Sequence, residues 1–158
     1  MSSSAGAKFW FGTWWPVVVC SVVIAIESTM YFGADHTSGP LRWLFEHIFW
    51  KVSDDHWHYY HMAFRKTGHF VGYGVTGLAW LRAWRRIYPL KSFLSHWTLA
   101  LLGTALIASC DEWHQTYLPN RTGSIYDVML DCAGTAVLTT FACFVLRAKN
   151  RKRLAQAA

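Results

Sequence analysis

The chain has 158 residues, of which 53% are hydrophobic, 17% aromatic and only 15% charged. Soluble domains carry about 25% charged residues, so an ordinary soluble domain is excluded, and the length excludes a large soluble catalytic one. The net charge of +6 would suit a nucleic-acid partner, but the cations sit in short clusters between apolar runs. That is the pattern of loops flanking membrane spans, and no nucleic-acid partner is read.

In chain order, residues 1–13 read as an N-terminal tip with a disordered Ser-rich start. The first apolar run is Trp14 to Tyr31. It is long for a signal peptide and no small-x-small cleavage site follows, so it reads as a span. A long loop from about Phe32 to His58 comes next. Within it, Leu41 to Lys51 places Arg42, Glu46 and Lys51 near one face and Leu44, Phe45, Ile48 and Phe49 largely on another. With Pro40 at the first turn and Arg42 paired to Glu46 at i, i+4, this predicts a helix lying in the membrane interface.

A second run begins between Tyr59 and Lys66 and ends near Leu81, a third is Phe93 to Cys110, and a fourth is Ser124 to Leu146. Each has about the 17 to 25 residues a spanning helix needs, and none is read as interrupted by an internal proline. Residues 147–158 form a basic tail. The expected fold is an all-α integral membrane four-helix bundle, spanning 14–146, with one outer interfacial amphipathic helix.

Lys8, the Arg82 to Lys91 cluster and the Arg147 to Arg153 tail place ten cations on one side, against five on the other. The excess stays in the cytoplasm, so both termini are expected there, in a bacterial inner membrane. All nine acidic residues and seven of the eight histidines then fall in the outer half. Trp14, Trp15, Trp43, Trp50, Trp57, Tyr59, Tyr60 and Trp84 are placed as interfacial anchors. Gly68 and Gly72 have the GxxxG spacing that brings helices close, with Gly74 and Gly77 extending it. Cys20, Cys110, Cys132 and Cys143 read as ordinary buried thiols, with Cys110 and Cys132 the one pair placed to meet.

The chemistry lies in two stretches. One is Arg65-Lys66-Thr67-Gly68-His69-Phe70 followed by Tyr73; the other is Asp111-Glu112-Trp113-His114-Gln115, then Pro119-Asn120-Arg121, Ser124, Asp127, Asp131 and Gly134. On helices, Lys66, His69 and Tyr73 share one face, as do Asp127, Asp131 and Gly134. Ionisable groups within spans are costly and turn toward the bundle interior, so the two faces are expected to converge, with Glu27 a third contributor.

These residues resemble the VanZ-like family of small membrane proteins, named for a member associated with teicoplanin resistance. Lys66, His69, Phe70, Tyr73, the Asp111-Glu112-x-His114-Gln115 run, Arg121, Ser124, Asp127 and Gly134 carry the resemblance over about Phe64 to Leu146. Arg65 stands where the family often has an acidic residue. The resemblance implies a cell-envelope membrane protein.

An outward-facing site for a lipid headgroup or lipid-linked envelope precursor is expected. Lys66 and Arg121 would bind the anion, Glu112 and His69 would do acid or base work, and Asp127 would orient a cation. Asp111, His114, Gln115 and Ser124 would complete substrate binding. No cofactor is called for. A metal centre on His69, Asp111 and Glu112, with His114 or Asp127 as a further ligand, has suitable ligand types but no HExxH spacing, and Lys66 and Arg121 stand against it. A second class of reading is a non-catalytic accessory subunit of a larger membrane protein complex, suggested by the many aromatics and the extended first outer loop.

Overall fold

The computed structural model describes residues 3–119 and 121–157 and shows five α-helices, with no strand among those residues. They are α1 (Ser3–Glu27), α2 (Ala34–Ile48), α3 (Asp54–Ile87), α4 (Phe93–Gln115) and α5 (Ile125–Ala157), with a short 3-10 turn at Met30–Phe32. The stretches Ala5–Glu27, Phe93–Gln115 and Ile125–Lys149 are long and apolar enough to cross a membrane. In hydrocarbon a helix is the one open structure that satisfies every backbone group internally, which is why these runs are helical.

The fourth expected span, α3, is not among those three. At 34 residues it has length to spare, but it carries Arg65, Lys66 and His69. It packs against α1, α4 and α5, so that Lys66, His69 and Tyr73 meet acidic partners on α5 and α4.

Paired contacts give the helix directions. Gly12 of α1 lies beside Arg82 of α3 and Trp14 beside Trp80 and Trp84, while Glu27 shares a cavity with Gly68 and His69. α1 and α3 are therefore antiparallel. Tyr73 bonds Asp111 and Trp80 covers Gly103, which makes α3 and α4 antiparallel as well. Lys66 pairs with Asp127 while Gly74 abuts Leu138, so α3 and α5 run in the same direction. The C-terminal ends of α1 and α4 thus meet the N-terminal parts of α3 and α5 at one end of the bundle. The opposite end holds both terminal segments, with Arg86 over Phe9 and Arg147 over Phe93.

Small and hydroxyl side chains fill the interior. Thr104, Thr135 and Thr139 are fully buried, and Thr135 Oγ1 donates to the Tyr73 carbonyl at 2.8 Å. A Cβ on Gly134 would strike the Phe70 carbonyl, and one on Gly77 would strike Thr135. The expected GxxxG pair is not the close approach: a Cβ on Gly68 or Gly72 would meet nothing within 4 Å. Glycine spacing marks a smooth face, but the neighbour's position decides which glycine is used.

Boundary expectations change in every helix: α3 runs from Asp54 to Ile87 and not from between Tyr59 and Lys66 to near Leu81, and α4 continues past Cys110 to Gln115. α1 starts at Ser3, so the Ser-rich start is helical from that residue and Pro16 is an interior proline. The Gly12 carbonyl that Pro16 leaves without a helical donor accepts from Arg82 Nη2 at 3.0 Å. α2 starts at Ala34, seven residues earlier than expected, so Pro40 lies inside it and Lys51 beyond it. The apolar periodicity of 41–51 carried no information on the polar residues preceding it. α5 continues through the basic segment to Ala157; the side chains of Lys152 and Arg153, counted in the charge balance, lie outside the described residues.

α2 docks on the start of α3. Phe45 packs against Trp57, Tyr60 and Phe64, Trp57 Nε1 donates to Ser38 Oγ at 2.8 Å, and Thr37 Oγ1 meets His61 Nε2 at 3.1 Å. Arg42 binds Glu46 at 2.9 Å, as its i, i+4 spacing requires, and also Asp54 at 2.6 Å. That guanidinium, with the Val52 N–H, holds the Glu46 carboxyl below its usual range. Trp57 is consequently buried and not an interfacial anchor, and Trp14 and Trp84 pack edge-to-face on each other. Trp15, Trp43, Trp50, Tyr59 and Tyr60 remain exposed. All four cysteines are free thiols and none is fully buried: Cys20, Cys132 and Cys143 are half-buried, and Cys110 is exposed and not paired with Cys132.

Candidate functional site

The bundle end where α1 and α4 finish and α3 and α5 begin contains a cavity of about 170 Å³. Its walls include Arg65, Lys66 and His69 from α3, Glu112 and Gln115 from α4, Arg121 from the α4–α5 loop, and Asp127 from α5. Helical spacing puts Lys66, His69 and Tyr73 on consecutive turns facing α5 and α4. Because α3 and α5 are parallel, they form a ladder: Lys66 Nζ lies 2.7 Å from Asp127 Oδ1 and His69 Nδ1 lies 3.5 Å from Asp131 Oδ1. The first is a charged hydrogen bond, the second too long for one.

Glu112 is buried and its Oε2 accepts the Ser124 N–H at 2.8 Å. This contact depends on Gly123, where a Cβ would collide with the Glu112 carbonyl oxygen. Ser124 serves through its backbone, while its Oγ accepts from Tyr126 N–H at the start of α5. Asp111 Oδ2 accepts from the Tyr73 hydroxyl at 2.9 Å and from Gln115 Nε2 at 3.2 Å.

Arg121 Nη2 donates to the carbonyls of Glu27 and Thr29, at 3.0 Å each. It closes the C-terminal end of α1, where carbonyls lack helical donors and a cation is favoured. Burial, with Arg65 nearby, pushes the guanidinium below its usual pKa but does not discharge it. Glu27 enters this site by its backbone carbonyl and borders a smaller cavity of about 20 Å³ with His69, Tyr73, Asp111 and Gln115.

The structure brings Lys66, His69, Glu112, Gln115, Arg121 and Asp127 to one cavity, with Asp111 immediately behind it. His114 is not part of it. It is exposed toward α1, where its Nδ1 meets Ser28 Oγ at 3.2 Å and it lines a separate groove with Asp111. Asn120, within the second motif, lies outside the described residues. Residues not assigned a role from sequence are Arg65, whose Nη1 is buried without a hydrogen bond, Tyr73, and Asp131, which is fully buried. The i, i+4 step from Asp127 to Asp131 was the available signal for the last.

No curated protein and no solved structure matches the chain. A family model, VanZ/LLP1, matches residues 10–147. The match includes α1 from residue 10 onward and α2, beyond the Phe64 to Leu146 stretch that carries the resemblance by motif. Both polar stretches of the cavity lie inside it, together with the whole of the span Phe93–Gln115 and most of the other two. The chain is a multi-pass membrane protein and belongs to the VanZ/LLP1 family.

Proposed function

We propose that the cavity between α3, α4 and α5 binds the anionic headgroup of an outer-leaflet lipid or a lipid-linked envelope precursor. The observation that carries this reading is the composition of one membrane-end cavity: Arg65, Lys66 and Arg121 face it together with Glu112 and His69. Planar guanidinium groups and an ammonium suit phosphate oxygens, and a carboxylate and an imidazole beside them are in reach to exchange a proton with a bound headgroup. Gln115 offers an amide, and Asp127 orients Lys66. In this reading the cavity end faces outward, both termini are cytoplasmic, and the host is a bacterial inner membrane. A link to teicoplanin tolerance rests on family membership.

The test is binding of a polyprenyl phosphate and the matching neutral polyprenol to the full chain in phosphatidylcholine nanodiscs, read by native mass spectrometry. The phosphate should bind and the alcohol should not, and Lys66→Ala should weaken phosphate binding about tenfold or more. Equal binding of both lipids would remove the headgroup site.

The accessory-subunit reading draws on exposed aromatics of α1 and the α2 region, including Trp10, Phe11, Trp43 and Trp50. A stoichiometric partner retained in mild detergent would favour it.

A further inference from the structure

Three carboxylates converge on one imidazole at the base of the cavity. Ligand atoms of His69, Asp111 and Glu112 lie within 4.8 Å of one another, and Asp131 stands 3.5 Å from His69 Nδ1. Among the described residues, no Lys or Arg nitrogen lies within 4 Å of Asp111, Glu112 or Asp131. Of the cations lining the cavity, Lys66 is engaged on Asp127 and Arg121 on the carbonyls of Glu27 and Thr29, and Arg65, whose Nη1 has no hydrogen bond, pairs with none of these acids.

The buried oxygens are also under-used. Asp111 Oδ1 has no hydrogen-bond partner although its residue is 92% buried, and neither oxygen of the fully buried Asp131 has one. Leaving buried carboxylate oxygens unpaired is costly unless a cation or proton meets them.

We propose that His69, Asp111 and Glu112 bind one divalent transition-metal ion of the zinc or manganese class, with Asp131 orienting the His69 ring. One imidazole nitrogen with carboxylate oxygens is a donor set for those ions, whereas calcium takes six to eight oxygens. A tetrahedral ion with bonds of about 2.0 to 2.1 Å keeps its ligands about 3.4 Å apart, which small side-chain rotations reach from the present spacing. The adjoining cavity of about 20 Å³ has room for one water-sized occupant. A carboxylate beside a metal-bound histidine fixes the ring, the part Asp131 takes here. Tyr73 and Gln115 hold the other oxygen of Asp111 in place. The inference goes beyond headgroup binding: with an ion held, Glu112 and His69 act as ligands and not as proton carriers.

The test uses the full chain in detergent, stripped with chelator and then offered Zn²⁺ or Mn²⁺ alone, with no anionic lipid. Elemental analysis after desalting should give one ion per chain. Asp111→Asn and His69→Gln should weaken uptake at least about tenfold, and Asp54→Asn, an acid remote from the cavity, should leave it unchanged. Co²⁺ added to the wild-type protein should give visible d–d bands, a readout that does not depend on any variant folding. Absence of stoichiometric uptake and of Co²⁺ bands overturns the proposal, as does uptake unaltered in folded Asp111→Asn and His69→Gln. Lys66→Ala separates the two ideas: it should lose polyprenyl phosphate binding while keeping the metal.

Discussion

Arg121 Nη2 donates to the carbonyl of Glu27 at 3.0 Å, joining the loop before α5 to the last turn of α1. The residue that sequence reasoning assigns to anion binding therefore also closes a helix end. Replacing it removes two hydrogen bonds to otherwise exposed carbonyls, about 1 kcal/mol each at a partly solvated site. Arg121→Ala should lower the thermal midpoint in detergent, followed by circular dichroism, and Arg121→Lys should recover part of the loss. An unchanged midpoint in Arg121→Ala would show that this guanidinium does not secure α1.

The α3–α5 contact gives a sharper comparison between glycines. Gly134→Ala forces a methyl into the Phe70 backbone carbonyl, which cannot move without bending α3. Overpacking of this kind costs about 1 to 3 kcal/mol. Gly68→Ala and Gly72→Ala meet open space and relieve glycine's backbone entropy in a helix, so they should be neutral or slightly stabilising. Denaturation of the three variants in the same micelle checks this; equal loss in all three would contradict the packing described.

Pro16 and Arg82 should be coupled. Arg82 Nη2 replaces the helical donor that proline lacks at the Gly12 carbonyl. Arg82→Ala should cost about 1 kcal/mol in the wild-type chain. In a Pro16→Ala background the restored N–H supplies the donor, so the same change should cost less. A double-mutant cycle on unfolding free energies measures the difference, and strictly additive effects would refute the coupling.

The α2 strap should respond to acid. The folded pKa of Glu46 is lowered, first by its hydrogen bond from Arg42 and then by the Val52 N–H. A carboxylate with a lowered folded pKa stabilises the docked state above its unfolded value, about 4.3. That contribution disappears as pH falls through the lower folded value. Amide hydrogen exchange over residues 41–55 should therefore accelerate as pH drops below about 4, after correction for intrinsic rates. Arg42→Ala should flatten this dependence, and an identical profile in both proteins would exclude the strap as its source.

Much of the architecture was legible because hydrocarbon leaves few choices. The third run was placed to its first residue, Phe93, where Ser92 caps α4 by accepting from Ser95 N–H. The pairing of Arg42 with Glu46 followed from spacing alone. The start of α1 at Ser3 and of α2 at Ala34 did not, because both precede the apolar periodicity that defined the runs. Interior prolines at positions 16 and 40 were misplaced for the same reason.

The amino-acid order alone determined that the chain is helical and membrane-embedded, that its acids gather at one end, and that Lys66 and His69 share a face. Only the packed bundle decided which partner each charge takes: Lys66 goes to Asp127, Arg121 to main-chain carbonyls, and His114 away from the cavity toward Ser28. Periodicity fixes the angle between residues on one helix. The rotation and offset of that helix against its neighbours come from packing across the whole interface, here the approach of α5 to α3 at Gly134 and of α3 to α4 beneath Trp80.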